Sequence, residues 1–431
     1  APRTATAENV DVLDRRRRAQ ERRARRVHDA CLREHGVCLA EPCEPDPDCP
    51  YTLFDSAVTH DRLLEGLRQS APLHEDVEAA VTCGRPSDAV TLFDGPPGTG
   101  KTQRLIHDVR AVVGAERERC RIALIHPSNT GCAALYTRLH LAGLSCALLI
   151  PPQRMPTDIP KFARRDDSTA QIVVCTPAGR RGLRLTRQRF THLFIDEAGQ
   201  VPEMVVWALL DEAVRGLHMY GDVKQLPGVL SQRAMTLGLQ RSLMERLIDS
   251  GYPCAAAREQ HRMRAEIVAF PSRRFYDGAL RASEQIVRDR PPLTAPAYAF
   301  VPVSGTEQRV GTSYANQAEA DVVRALVTDL MACGQVVVLV PYLAQAQLLR
   351  DVPVSVMTVD AFQGREADVV ILTLVRTAAL GFWNDERRLN VALTRARDVL
   401  RVVGARWEGD GVLAALYADA VHRGAVAHYG W

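Results

Sequence analysis

The eight residues Gly95-Pro96-Pro97-Gly98-Thr99-Gly100-Lys101-Thr102 fit the spacing G-x-x-x-x-G-K-[ST]. They follow the apolar run Ala89–Phe93 and open a stretch that reads as a helix. This context constrains the fold more than any other feature of the chain. Glycines let backbone N–H groups wrap a phosphate, and the positive end of the following helix adds to the cradle. Such a loop belongs where a strand feeds a helix, so an α/β sheet is expected around it. Within it, Lys101 has the reach for the β- and γ-phosphates of a nucleoside triphosphate, and Thr102 has the hydroxyl to hold Mg²⁺.

The alternation continues beyond that loop. Short apolar runs at Ile122–Ile125, Ile172–Cys175, Leu193–Ile195 and Leu217–Tyr220 alternate with helical stretches. A second series follows at Val336–Val340, Val354–Val359, Val369–Val375 and Val399–Val403. Buried β-branched runs of this kind build parallel sheets with helices on both faces. Two series predict an α/β chain of two tandem domains, at 84–257 and 258–431, after a basic, mainly helical segment at 1–83. The proline-rich stretch Pro291–Pro296 lies near the join. The run Leu193–Ile195 ends in Asp196 and Glu197. Asp196 is placed to hold Mg²⁺ through its water shell, and Glu197 to orient or deprotonate an attacking water. Together the two motifs predict hydrolysis of a nucleoside triphosphate.

Charge is distributed unevenly. The 431 residues carry a net charge of only +3, and of 54 basic residues just Lys101, Lys161 and Lys224 are lysines. Arg15–Arg26 holds eight Arg against one Glu, so the remainder is slightly acidic. This run is expected to be a stalk packing on the first α/β domain, an electrostatic grip on nucleic-acid phosphates, or a solvated linker or localisation signal. No window approaches the roughly 18–20 apolar residues of a spanning helix, so no membrane partner is expected. The start, Ala1-Pro2-Arg3, has no apolar signal core, and the 11 Cys are scattered. An intracellular setting, cytoplasmic or nuclear, is therefore expected rather than secretion. The missing Met suggests a processed product or an excised domain. His28, Cys31, His35 and Cys38 share a predicted helix face, with Cys43 and Cys49 beyond it. Free thiols are the favoured expectation and a single zinc site the alternative, because four ligands along one helix cannot surround a tetrahedral ion.

Further segments occur in a fixed order. They are Tyr220–Pro227, Gln260–Met263, Ala269–Ser272, Phe275–Gly278, Thr358–Glu366 and Arg387–Arg397. With the two motifs above they resemble superfamily 1 helicases over about residues 73–405, above all the up-frameshift branch of nonsense-mediated decay. The nidovirus replicative helicases are related. The resemblance implies two RecA-like domains with ATP between them and single-stranded RNA or DNA across both. It makes Gln225 the γ-phosphate sensor and Arg262 and Arg395 the arginine fingers. His261 becomes a base-stacking residue and Glu366 a ribose contact. Pro127, Ser128, Asn129, Thr176 and Thr358 become contacts to the nucleic-acid backbone. Arg397 is expected in a structural ion pair, Tyr314 as a packed aromatic, and Lys224 at the site's periphery.

Some positions depart from the family pattern. Asp76 aligns with the family's adenine-reading Gln, and a carboxylate only accepts hydrogen bonds where an amide both donates and accepts. ATP or another nucleoside triphosphate is therefore expected. The stretch Thr137–Thr169 is shorter than in the up-frameshift helicases, without their nucleic-acid clamp. The function expected is an ATP-dependent helicase or translocase moving 5′ to 3′, with replication or RNA-processing proteins as possible partners. The alternatives are an RNA–protein remodelling ATPase without processive unwinding and an inactive nucleotide-binding scaffold.

Overall fold

The computed structural model describes residues 73–151, 170–181, 189–230, 232–293 and 295–428. The Arg-rich run and the His28–Cys49 set lie outside the described residues, as does Thr137–Thr169 beyond Pro151. The described residues form two compact units. The first comprises those up to Leu92, Leu105–Tyr220 and Pro227–Cys254. The second comprises Phe93–Arg104, Gly221–Leu226 and the chain from Ala255 onward.

The first sheet has seven strands: β1 (Val90–Asp94), β2 (Ile122–Ile125), β3 (Ala147–Leu149), β4 (Ile172–Cys175), β5 (His192–Ile195), β6 (Gly216–Gly221) and β7 (Cys254–Ala256). Their order is β3-β4-β2-β5-β6-β1-β7, and the strands from β3 to β6 run parallel. β2, β4 and β5 are buried at every position, as strands covered on both faces must be.

In the second unit, β8 (Glu259–Gln260) pairs with β9 (Arg281–Ala282). The main sheet there takes β10 (Tyr298–Pro302), β13 (Val336–Val340), β14 (Ser355–Thr358), β15 (Ala367–Thr373) and β16 (Ala396–Gly404). Its order is β10-β16-β15-β13-β14, parallel throughout. A small hairpin joins β11 (Gln308–Val310) to β12 (Ser313–Ala315). Alternate residues of β13 face opposite ways, so Val337 and Leu339 enter one core and Val336, Val338 and Val340 the other. The first core packs under helices Ala265–Phe275 and Val412–His422, the second under helix Gln317–Leu330. Two parallel α/β sheets are the arrangement expected of tandem RecA-like domains.

Pro291–Pro296 lies inside the second unit, where the Pro291 and Pro296 carbonyls accept from Arg264 (2.7 Å) and Arg401 (2.8 Å). The prolines lead into β10 instead of separating folded units. The seven described cysteines are free thiols. Among the described residues no helix is long and apolar enough to cross a membrane.

Candidate nucleotide site

The phosphate loop leaves the end of β1 and runs into helix Lys101–Glu116. Gly98 (φ +76°) and Gly100 (φ +82°) adopt the left-handed conformation that favours glycine. The Thr99 hydroxyl donates to Pro96 O at 2.7 Å, and Gly95 N donates to Gly221 O at 2.9 Å. Close approach constrains Gly95 and, again, Gly98. A Cβ on Gly95 would lie 2.1 Å from Lys101 Cγ, and one on Gly98 would lie 2.6 Å from Arg262 Cβ. His261 N donates to Gly98 O at 2.8 Å, so the loop is seated directly on residues 260–262.

The second unit brings the phosphate loop, Gln225, Arg262, Glu366 and Arg395 together. Arg262 donates from Nε to Glu366 (2.5 Å) and from Nη1 to Thr394 O (3.1 Å). Arg395 is buried and donates to Val391 O (2.8 Å) and, through Nη2, to Gln225 Oε1 (3.2 Å). Glu366 also takes Arg397, at 2.7 Å. Burial opposes ionisation of Glu366, but Arg262 and Arg397 outweigh it and hold the carboxyl below its ordinary value. The two arginines thus occupy the carboxylate that the family resemblance gives to a ribose. Arg397 is an ion-pair residue, linked also to Asp368 at 3.6 Å. Tyr314 packs under Arg376, 4.0 Å from the guanidinium, and beside Tyr342. The His261 ring is half exposed, 3.8 Å from Glu259.

Asp94, immediately before the loop, escapes notice in the sequence because it ends an ordinary strand. Burial, and then the Asp222 carboxylate, push its pKa up to about 6 against the pull of Lys101, Arg258 and Lys224. Between pH 3.8 and about 6 the folded protein therefore holds a proton that the unfolded chain releases. That stability is fully present below pH 3.8 and is lost as pH rises through about 6. Asp94→Asn is expected to raise the unfolding free energy at pH 7.5 by about 1–3 kcal/mol and to make the decline across that window shallower. Chemical denaturation at pH 4 and pH 7.5 checks this; equal stabilities of variant and wild type at pH 7.5 would contradict it.

Asp196 and Glu197 lie in the first unit, at the end of β5. Asp196 is buried, its backbone N–H donates to Ile125 O at 2.9 Å, and its Oδ1 accepts from Glu197 N at 3.0 Å. Glu197 has φ +51°, sparsely populated for a non-glycine residue, and its carboxylate accepts from Gln200 at 3.3 Å. The strand end therefore aims Glu197 through a turn that costs local strain.

Ser128, Thr176 and Thr358 follow the same pattern at the ends of β2, β4 and β14. Ser128 Oγ accepts from Gly131 N and Thr176 Oγ1 from Gly179 N, both at 3.1 Å, and Thr358 Oγ1 from Ala361 N at 3.4 Å. Each hydroxyl thus caps the turn after its strand. Ser128 is exposed, with Pro127 and Asn129 half-buried beside it. Asp76 sits in the first turn of helix Glu75–Cys83, 3.7 Å from His74. Sequence reasoning assigned no role to Asp222, Tyr276 or Asn390, although all three fall within the quoted motifs. They form a buried polar cluster with Gln225.

Two family profiles described as AAA domain match the chain, over residues 161–233 and 239–407. The chain is 28% identical over 393 residues to the regulator of nonsense transcripts 1 homolog of Neurospora crassa, covering 74% of this chain and 36% of the relative. It is 30% identical to regulator of nonsense transcripts 1 of Caenorhabditis elegans (73% and 36% covered) and 29% identical to the ATP-dependent helicase NAM7 of Saccharomyces cerevisiae (73% and 40% covered). It therefore spans about two fifths or less of the length of these relatives. A solved complex of arterivirus nonstructural protein 10 (helicase) with DNA has a TM-score of 0.49 at 21% identity, over 77% of this chain and 63% of that one. In its ordered motifs and its sequence relatives, the chain resembles the superfamily 1 helicases of the up-frameshift branch.

Proposed function

We propose that this chain hydrolyses a nucleoside triphosphate, ATP in the first instance, and uses the cycle to move 5′ to 3′ along single-stranded RNA or DNA as a helicase or translocase. The observation that carries this is the seating of the phosphate loop in one unit with Gln225, Arg262 and Arg395, Gly98 lying directly against Arg262. Gly95 and Gly98 let the Lys101 and Arg262 side chains pack directly against the loop, where a Cβ would collide with them. Lys101 supplies a compact charge to the β- and γ-phosphates. Arg262 and Arg395 neutralise the charge that develops on the transferring phosphoryl group. Glu197 orients and deprotonates the attacking water. Thr102 and Asp196 offer the oxygen donors that Mg²⁺ prefers, and the ion would neutralise phosphate charge when bound.

In this scheme Arg262 exchanges Glu366 for phosphate oxygens, freeing that carboxylate for the ribose while His261 stacks on the base. Residues 84–257 and 258–431 act as the two motor domains. Ser128, Thr176 and Thr358, with Pro127 and Asn129, grip the sugar–phosphate backbone without reading bases. Binding to single strands is then expected to weaken steeply with salt. Unwinding of duplexes with a 5′ or a 3′ single-stranded tail tests the polarity. Preference for the 5′ tail is expected, and preference for the 3′ tail would contradict it. Strand-stimulated hydrolysis with no strand separation would favour the remodelling ATPase.

A further inference from the structure

Asp222 accepts three hydrogen bonds. Its Oδ2 takes the Tyr276 hydroxyl at 2.7 Å and Gln225 Nε2 at 2.6 Å, and its Oδ1 takes Lys224 N at 3.0 Å. Asn390 Nδ2 donates to Tyr276 Oη and to Lys224 O, both at 2.8 Å. Asp222, Gln225, Tyr276, Asn390 and Arg395 are all buried. Burial, with the Asp222 carboxylate beside it, pushes the Tyr276 hydroxyl well above its ordinary pKa, so it stays a donor.

The polarity of this chain is one-way. A carboxylate only accepts, so the amide nitrogen of Gln225 must face Asp222. The amide oxygen is then left for Arg395, whose guanidinium only donates. Turning the amide over would set oxygen against carboxylate and nitrogen against guanidinium, two repulsive contacts in a buried site. We propose that Asp222, Tyr276 and Asn390 are positioning residues that fix the acceptor end of Gln225 toward Arg395 during hydrolysis. This rests on the hydrolytic function proposed above and extends it to three residues that touch no phosphate in that scheme.

A polarity swap tests it. Gln225→Glu sets two carboxylates together and is expected to lower kcat for strand-stimulated hydrolysis by about a hundredfold with KM nearly unchanged. Adding Asp222→Asn restores a donor facing position 225 and is expected to recover kcat at least about tenfold over Gln225→Glu alone. Tyr276→Phe keeps the ring and removes the donor; its kcat is expected to fall about tenfold, with KM within about twofold of wild type. Wild-type hydrolysis with no recovery in the double variant, or with kcat unchanged in Tyr276→Phe, would overturn the inference alone. Wild-type hydrolysis no faster than that of Lys101→Ala would overturn the hydrolytic function and the inference together.

Discussion

Arg395→Ala is expected to lower kcat for strand-stimulated hydrolysis by about a thousandfold, the scale on which arginine fingers act. The guanidinium donates to Val391 O, Arg365 O, Thr394 Oγ1 and Gln225 Oε1. Such a group is already oriented before a phosphoryl group arrives, so little reorganisation is left for the reaction itself. KM is expected to change far less than kcat, because the charge it stabilises develops in the transition state. Arg395→Lys keeps the charge but loses the fork, and is expected to recover only a small part of the rate. Steady-state hydrolysis with bound-nucleotide controls measures this. A fall in kcat of less than about tenfold for Arg395→Ala would remove Arg395 from the chemistry.

The second large effect is on stability. Glu319 is fully buried in helix Gln317–Leu330, where its Oε2 accepts from the Thr373 hydroxyl and from Val375 N (2.8 Å), and its Oε1 from Asn316 Nδ2 (3.3 Å). Val375 has φ +65°, a costly conformation for a β-branched residue, and the bond to Glu319 holds it there. Burial raises Glu319 to about 7 despite these donors. Glu319→Ala strands several buried donors at once and is expected to cost about 3–5 kcal/mol. Glu319→Gln keeps an acceptor and is expected to cost less than half of that. Denaturant melts compare the three proteins; a loss below about 1 kcal/mol in Glu319→Ala would show that Val375 is held by other means.

Strands made of uninterrupted apolar residues rich in Val and Ile were legible in the sequence. Ile122–Ile125, Ile172–Cys175 and Val336–Val340 form where the apolar runs place them. Tyr298–Pro302 was hidden because the prolines just before it and its own Pro302 read as a boundary, whereas pairing with Leu400–Gly404 makes it an edge strand. Ala147–Leu149 is too short to carry a period of its own. The phosphate loop and the Asp196–Glu197 pair were legible because their residues are contiguous. The Asp222–Tyr276–Asn390 cluster was not, since its members are 54 and 114 residues apart and meet only through packing. The ion pairs of Glu366 were hidden for the same reason, since its two arginine partners come from separate segments.

The most direct test of the account is the rate of ATP hydrolysis by the purified chain, with and without single-stranded RNA or DNA, beside Lys101→Ala. Hydrolysis is expected to rise several-fold or more when the strand is added and to fall to background in Lys101→Ala. Equal rates for wild type and Lys101→Ala under both conditions would contradict it.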